Sequence, residues 1–508
     1  MAEYSEVPPG DPFAISKAMF AALAEELAGP AAAGLTAFEL EELVDEESRK
    51  AVRQLLQDHY DLRALREEQQ ARKHPGPVTG SDGITRTRLE TGHGRKMATL
   101  YGTVTVTRCA WRKPGAPDYL PADAALSLPA GRHSHTLAKL ACLEAPRGSF
   151  DAAHDAITRR CGNVIGKRQV EEAAVAASAD IPAFYAARVP GPCTPETLVV
   201  LSADCKGIVM RPPALRSATA KAAAKLGKMR TRLASGEKPN RKRMACLAAV
   251  YDAEPAERRP HDVIAPPGGR AGARRLRPGP KALAKWLAGS VRKDPAEAIA
   301  AAFDEAEARD PGHRRTWVVL VDGAEHQLDL ILAEAARRRV AVHVVIDLIH
   351  VLEYLWRASW CFHKAGDPAV EDWVAVKALA VLAGDSARAA REITAEADAA
   401  GLKGSRRTGA DACVRYLGTK HDFLRYDQAL AAGWPIATGV IEGACRHLIA
   451  DRLDISGARW GLDGAEAILT LRAVIANGDL EEYWRFHLEQ EHQRLYPGVK
   501  QGQYALGA

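Results

Sequence analysis

At 508 residues the chain is too long for one ordinary domain and has room for about three, each able to bury its own core. Apolar residues make up 47% and charged residues 26%, as in soluble globular proteins, and no apolar run is long enough to span a membrane. The net charge of +5 is modest, Met1 to Pro30 lacks the basic-then-apolar order of a signal peptide, and the nine cysteines contain no CxxC pair. These features argue against a secreted disulfide scaffold and a zinc ribbon, and the expected compartment is a reducing cytoplasm.

The first hundred residues read as helical and polar. From Thr36 to Gln70, Phe38, Leu40, Leu43, Val52, Leu55 and Leu56 recur at helical spacing among charges. Residues 74–94 are rich in Gly, Pro, Ser and Thr, which predicts a linker. Thr99 to Arg108 alternates as a strand, with Leu100, Gly102, Val104 and Val106 set against Tyr101, Thr103, Thr105 and Thr107. Ser134 to Ala186 is helical again. Within it, a helix opening at Ser149-Phe150-Asp151 ends near Cys161-Gly162, and a second begins at Lys167-Arg168-Gln169-Val170. Helix, Gly-containing turn and basic helix start give the outline of a helix-turn-helix, with Lys167 and Arg168 as candidate DNA contacts, although any two packed helices share that outline.

After Pro190-Gly191-Pro192 the composition turns α/β. Leu198 to Asp204 is an apolar strand ending in an acid, Met244 to Val250 is a second strand, and Trp317 to Asp322 is a third, again ending in an acid. A helix over Ala324 to Arg338 leads to a strand over Val340 to Ile346 and then Asp347. Leu348 to Lys364 is helical and aromatic, residues 367–432 are mostly helical, and helices resume at Gly439.

Charge is distributed unevenly. Between Arg211 and Arg243 there are eleven Lys or Arg against one acid, Glu237, and this excursion contains Lys238, Arg241, Lys242 and Arg243. Arg270, Arg274, Arg275 and Arg277 form a second basic cluster; Lys403, Arg406 and Arg407 form a third. One such cluster reads equally well as a solubilising loop, whereas three in one chain point to a phosphate backbone as partner.

Asp204, Asp322 and Asp347 each close an apolar strand, at the sheet edge where ligands gather in α/β folds. Carboxylates converging from separate elements can hold the divalent ions that phosphodiester chemistry needs. Each acid also has a plainer reading. Asp322-Gly323 is ordinary turn chemistry, Asp347 can cap the helix after it, and Asp204 can pair with Lys206.

The motifs, taken in order, resemble those of the transposases of ISKra-type bacterial insertion sequences, relatives of the Mutator-like transposases. The resemblance covers the chain from about Gly102 onward. It rests on Ser202-Ala203-Asp204-Cys205-Lys206-Gly207, Val321-Asp322-Gly323-Ala324, Asp347-Leu348-Ile349-His350 with Glu353-Tyr354-Leu355-Trp356, Thr438-Gly439-Val440-Ile441-Glu442-Gly443 with Arg446, and Ser456-Gly457-Ala458-Arg459-Trp460. What the resemblance implies is a multidomain α+β protein. An RNase H-like α/β catalytic core with a helical insertion would follow a mostly helical N-terminal DNA-binding region. The expected layout is 1–98 helical region and linker, 99–190 small β element and helix-turn-helix-like region, 195–365 first part of the core, 366–432 insertion, and 433–508 last part of the core and C-terminal helices. The gap of 120 residues from Asp322 to Glu442 fits such an insertion.

By resemblance the catalytic triad is Asp204, Asp322 and Glu442. The Asp347–His350 pair is an auxiliary in which His350 contacts the scissile phosphate or orients Asp347. Asp347 joins the triad as a metal ligand, and the implied cofactor is Mg²⁺ or Mn²⁺, two ions. Arg446 and Arg459 join the candidate DNA contacts. The implied activity is strand cleavage at transposon ends and transfer into target DNA. The partners are double-stranded DNA, as terminal inverted repeats and target, and a second copy of the chain; the location is cytoplasmic, at the nucleoid, without a membrane. Family members often carry a cysteine-rich zinc element after the Gly-Thr-Val strand, but Cys109 is followed by Ala110-Trp111-Arg112-Lys113-Pro114 with no partner cysteine, so no zinc is assigned. A domesticated DNA-binding protein, a structure-selective nuclease and a metallohydrolase of another substrate class are the competing readings. The presence of every acid counts against the first and the basic clusters against the last.

Overall fold

The computed structural model describes residues 10–189, 191, 194–225, 241–268 and 276–499. The fold is mixed α+β, and the chain divides into two compact units, Met1–Ala186 with Asp479–Ala508, and Ala187–Gly478.

The first unit opens with the helix Ala14–Ala28 and the long helix Ala37–Lys73. Thr36 starts the long helix through a capping box: its hydroxyl accepts from the Glu39 N–H at 3.3 Å and its own N–H donates to the Glu39 carboxylate at 2.8 Å. Residues 74–94, expected to be a linker, instead form the strands β1 (Val78–Thr79) and β2 (Thr85–Arg86) and the first half of β3 (Arg88–Thr99). β3 pairs antiparallel with β4 (Gly102–Arg112), with a bulge between Glu90 and His93. Met97, Val104, Val106 and Leu128 form a small core under this hairpin.

The long helix serves the open edge of β4. The Gln57 side chain accepts from the Thr105 N–H at 2.8 Å and donates to the Thr105 carbonyl at 2.9 Å, and the buried Glu67 carboxylate accepts from the Cys109 N–H at 2.9 Å. Backbone groups that an edge strand would leave open are thereby satisfied by side chains. After the short helix Pro121–Ala125 come the helices His135–Glu144, Phe150–Cys161, Lys167–Ala177 and Ile181–Ala187; Ser149 caps Phe150–Cys161, and Gly162 ends it with a positive φ of 75°. The helix Leu480–Leu495, within the stretch expected to hold the last part of the core and the C-terminal helices, belongs to this unit: the buried Asp180 carboxylate accepts from His487 Nδ1 at 2.6 Å and from Arg494 at 2.6 and 3.0 Å.

The second unit is built on five strands, β5 (Leu198–Val209), β6 (Lys242–Ala253), β7 (Ala282–Ser290), β8 (Trp317–Val321) and β9 (Val342–Ile346), in the order β7-β6-β5-β8-β9. β5, β6 and β7 are antiparallel neighbours, and β8 and β9 run parallel to β5. The parallel pair needs a crossover, which the helix Glu325–Arg338 supplies. Leu198–Leu201 at the start of β5 and the whole of β8 are buried apolar runs, as in strands covered on both faces. The helix Pro295–Arg309 buries Ala298, Ile299, Ala302, Phe303 and Ala306.

On the outer strand β7, the Asn477 side chain pairs with both backbone groups of Leu287, at 2.8 and 3.0 Å. At Gly289 a Cβ would come within 2.6 Å of Leu247 and 2.9 Å of Leu469, so the helix Leu462–Asn477 closes on β7 only because that position has no side chain. Cys205 and Cys246, register partners on β5 and β6, are joined as a disulfide with Cα atoms 4.1 Å apart, a local cross-strand bond and not the scaffold the cysteine spacing argued against. No helix among the described residues is long and apolar enough to cross a membrane.

Candidate metal centre

Strand register brings the three aspartates level. Ser202 on β5 pairs with Leu320 on β8, and Val321 on β8 pairs with Ile346 on β9. Carried forward two positions and one position, the same register aligns Asp204 on β5 with Asp322 and Asp347, the residues that directly follow β8 and β9. Strands lie about 4.8 Å apart, so the row spans about 10 Å. The Asp347 N–H donates to the Val321 carbonyl at 2.8 Å, which extends the ladder to the acid itself.

Asp347 is fully buried and caps the helix Leu348–Ser359, its Oδ1 accepting the Ile349 N–H at 3.0 Å. Its Oδ2 lies 2.5 Å from the Thr438 hydroxyl, which is also 2.9 Å from Glu442 Oε1. Glu442 stands in the short helix Gly439–Ala444, one turn after Thr438. A hydroxyl has one proton and serves one carboxylate at a time, so two acids converge on a single donor. Although Glu442 as a residue is open to solvent, partial burial of its carboxyl group pushes its pKa above the ordinary range; the adjoining Asp347 adds to the rise, and the Thr438 hydrogen bond opposes it. His350 completes the group. Asp347, His350 and Glu442 each offer a ligand atom within 4.8 Å of the others.

Asp204 and Asp322 share the row but lie outside that tight group. Asp204 Oδ1 accepts the Cys205 N–H at 2.6 Å, and Oδ2 faces the Cys445 thiol at 3.1 Å. Burial, followed by the Asp204 charge, raises the Cys445 thiol pKa well above its ordinary value, so the sulfur stays protonated and donates. Asp322 is exposed, its Oδ1 accepting the Ala324 N–H at 2.9 Å. Gly323, at φ 90°, makes the turn behind it. The Tyr416 hydroxyl reaches the Asp322 carbonyl at 3.3 Å, and the ring stacks on Tyr354 at 4.0 Å, under the Arg357 guanidinium.

The expectation set Asp347 and His350 beside a triad of Asp204, Asp322 and Glu442. The geometry draws that auxiliary pair closest to Glu442. Thr438 and Cys445 were not singled out as site residues. The available signal was spacing: they lie four residues before and three after Glu442, on one helical face.

The candidate DNA contacts divide by environment. Lys167 and Arg168, in the first turn of their helix, pair with Asp151 at 2.6 Å and Glu172 at 2.9 Å. Lys238 lies outside the described residues, as do Arg270, Arg274 and Arg275. Arg241 offers its carbonyl to the Met210 N–H at 2.9 Å, and Lys242 is 4.0 Å from Asp454. Arg243 is half-buried and donates to the carbonyls of Val291 at 2.6 Å and Ala214 at 3.2 Å. Arg446 and Arg459 are exposed.

No family model matches this chain, and no curated protein matches it.

Proposed function

We propose that the unit Ala187–Gly478 is an RNase H-like nuclease core and that the chain is a DNA transposase, which cuts at transposon ends and joins the freed 3′-hydroxyls to target DNA. The observation that carries this reading is the level row of Asp204, Asp322 and Asp347, with Glu442 reaching Asp347 from a helix far along the chain. A mixed five-stranded sheet with Asp204 on its central strand agrees with such a core. The helices from Ala369–Leu382 to Tyr426–Ala431 fill the stretch expected for the insertion.

Asp204, Asp322, Asp347 and Glu442, with His350 beside them, are the residues that would hold divalent ions, Mg²⁺ or Mn²⁺ and two in number. Hard oxygen donors on separate elements suit that task, and two carboxylates sharing one hydroxyl proton favour a cation between them. Bound there, such ions stabilise the oxygens that attack and leave in an in-line displacement at phosphorus. The protein's own groups orient and bind. Thr438 holds Asp347 and Glu442 together, and the Cys445 thiol fixes the rotamer of Asp204. The exposed Arg446 and Arg459 contact phosphates of the DNA backbone. Two ends must be processed together, so a dimer assembles on DNA.

The test is cleavage of a labelled duplex taken from the DNA that borders the coding sequence, with Mg²⁺ and without it. The wild-type chain should nick the duplex only with the metal, and Asp204→Asn should lose cutting while keeping DNA binding. Cutting undiminished in Asp204→Asn, or no cutting by the wild type in Mg²⁺ or Mn²⁺, would refute the reading.

A further inference from the structure

We infer that the Asp347–His350–Glu442 cluster is a nitrogen-bearing site selective for a first-row transition-metal ion over Mg²⁺, with the His350 imidazole as a direct ligand. This deepens the metal-dependent reading of the same site and rests on it.

The ligands are prepared by two separate helix starts. Asp347 is the N-cap of Leu348–Ser359 and His350 stands three residues on, positions whose side chains are neighbours on one helix end. Glu442 arrives from Gly439–Ala444, and all three ligand atoms fall within 4.8 Å of one another. The supporting contacts orient these donors. The Ile349 N–H holds one oxygen of the fully buried Asp347, and Thr438 bridges the other to Glu442. The two His350 nitrogens can divide the work, because Nδ1 lies 3.6 Å from the Glu353 carboxylate. A small side-chain adjustment makes that carboxylate the outer hydrogen-bond partner that metal-bound imidazoles usually have.

The donor set decides the ion class. Mg²⁺ takes oxygen donors in near-ideal octahedral geometry and dehydrates reluctantly. Imidazole suits transition ions, and carboxylates remain acceptable to Mn²⁺. An oxygen-only pair, Asp204 and Asp322, therefore stands in the same row as a mixed oxygen–nitrogen group. The two positions are chemically unequal.

The experiment uses the full chain, Mn²⁺ as probe, and pulsed electron paramagnetic resonance, with no DNA present. Bound Mn²⁺ should show ¹⁴N modulation from a coordinated imidazole. His350→Ala should abolish that modulation and weaken Mn²⁺ by about ten-fold or more, leaving Mg²⁺ affinity within about two-fold of wild type. Glu442→Gln should weaken Mn²⁺ while keeping the ¹⁴N signal. Mn²⁺ bound without ¹⁴N modulation in the wild type, or displaced by an equal concentration of Mg²⁺, overturns the inference. The two readings fail separately: ¹⁴N-coupled Mn²⁺ in a chain that cuts no DNA keeps this inference and removes the nuclease. Metal-dependent cutting without ¹⁴N coupling does the reverse.

Discussion

Glu67→Gln should remove a pH-dependent weakness from the first unit. Glu67 is 2% exposed, lies beside Val106, Ala122 and Leu126, and spends one carboxylate oxygen on the Cys109 N–H. Its other oxygen has no hydrogen-bond partner among the described residues. Burial pushes its pKa from the ordinary 4.5 up to about 7, and the Cys109 N–H and the charges of Arg108 and Arg63 only partly offset this. The folded value lies above the unfolded one. The stability it contributes is therefore full below about 4.5 and is lost as pH rises through about 7. At about 1.4 kcal/mol per pH unit, the loss is about 3 kcal/mol by pH 8.5. Glutamine keeps a carbonyl oxygen for Cys109 and carries no charge at any pH. Urea unfolding at pH 5 and 8.5, with hydrogen exchange read on peptides covering β4, measures the effect. The wild type should lose about 2.5 kcal/mol across that range relative to Glu67→Gln, because part of the loss has already occurred at pH 5. Parallel pH dependence in the two proteins would refute the argument, because it would mean the carboxylate ionises in the folded state at no cost.

Two further outcomes follow from the site and its surroundings. Thr438→Val removes the hydroxyl between Asp347 and Glu442 at nearly constant shape, whereas Thr438→Ser keeps it. Calorimetric titration should show divalent-ion affinity down about ten-fold in the valine variant and near wild type in the serine variant; equal affinity in both would leave the hydroxyl without a positioning role. Arg243→Ala should cost about 2 kcal/mol in thermal unfolding by stranding the carbonyls of Val291 and Ala214. Neutralising Arg241 and Lys242 instead should leave stability within about 0.5 kcal/mol and flatten the salt dependence of DNA binding by about one charge each. A salt slope set by Arg243 alone would reverse that division.

Much of the second unit was legible because its strands announce themselves. Leu198–Leu201 and Trp317–Val321 are apolar runs that only a covered sheet accommodates. The misses are non-local. β5 was expected to stop at Asp204, yet it continues to Val209, because β6 pairs with it along its whole length to Lys242. Met244–Val250 was likewise too short by several residues. β7, Ala-Leu-Ala-Lys-Trp-Leu-Ala-Gly-Ser, has weak alternation and was not expected at all. Its outer edge is served by Asn477, whose amide substitutes for a missing strand at Leu287. Residues 74–94 read as a linker from their Gly, Ser and Thr content, but the hairpin they enter supplies long-range pairing that composition does not report.

The site itself divides in the same way. That an acid follows each of three apolar runs is local information, and the sequence carries it. That the acids stand level depends on inter-strand register, which no single strand contains. Asp347 shows why the plain and the functional readings need not compete. Its cap on Ile349 is the ordinary fate of an aspartate before a helix, and it occupies one oxygen only. That same bond holds the carboxyl group buried and fixed, with the second oxygen turned to Thr438 and Glu442. An exposed aspartate would share this cluster only after losing rotamer freedom, which the cap has already removed. The helix start that explained Asp347 away is therefore what makes it a prepared ligand.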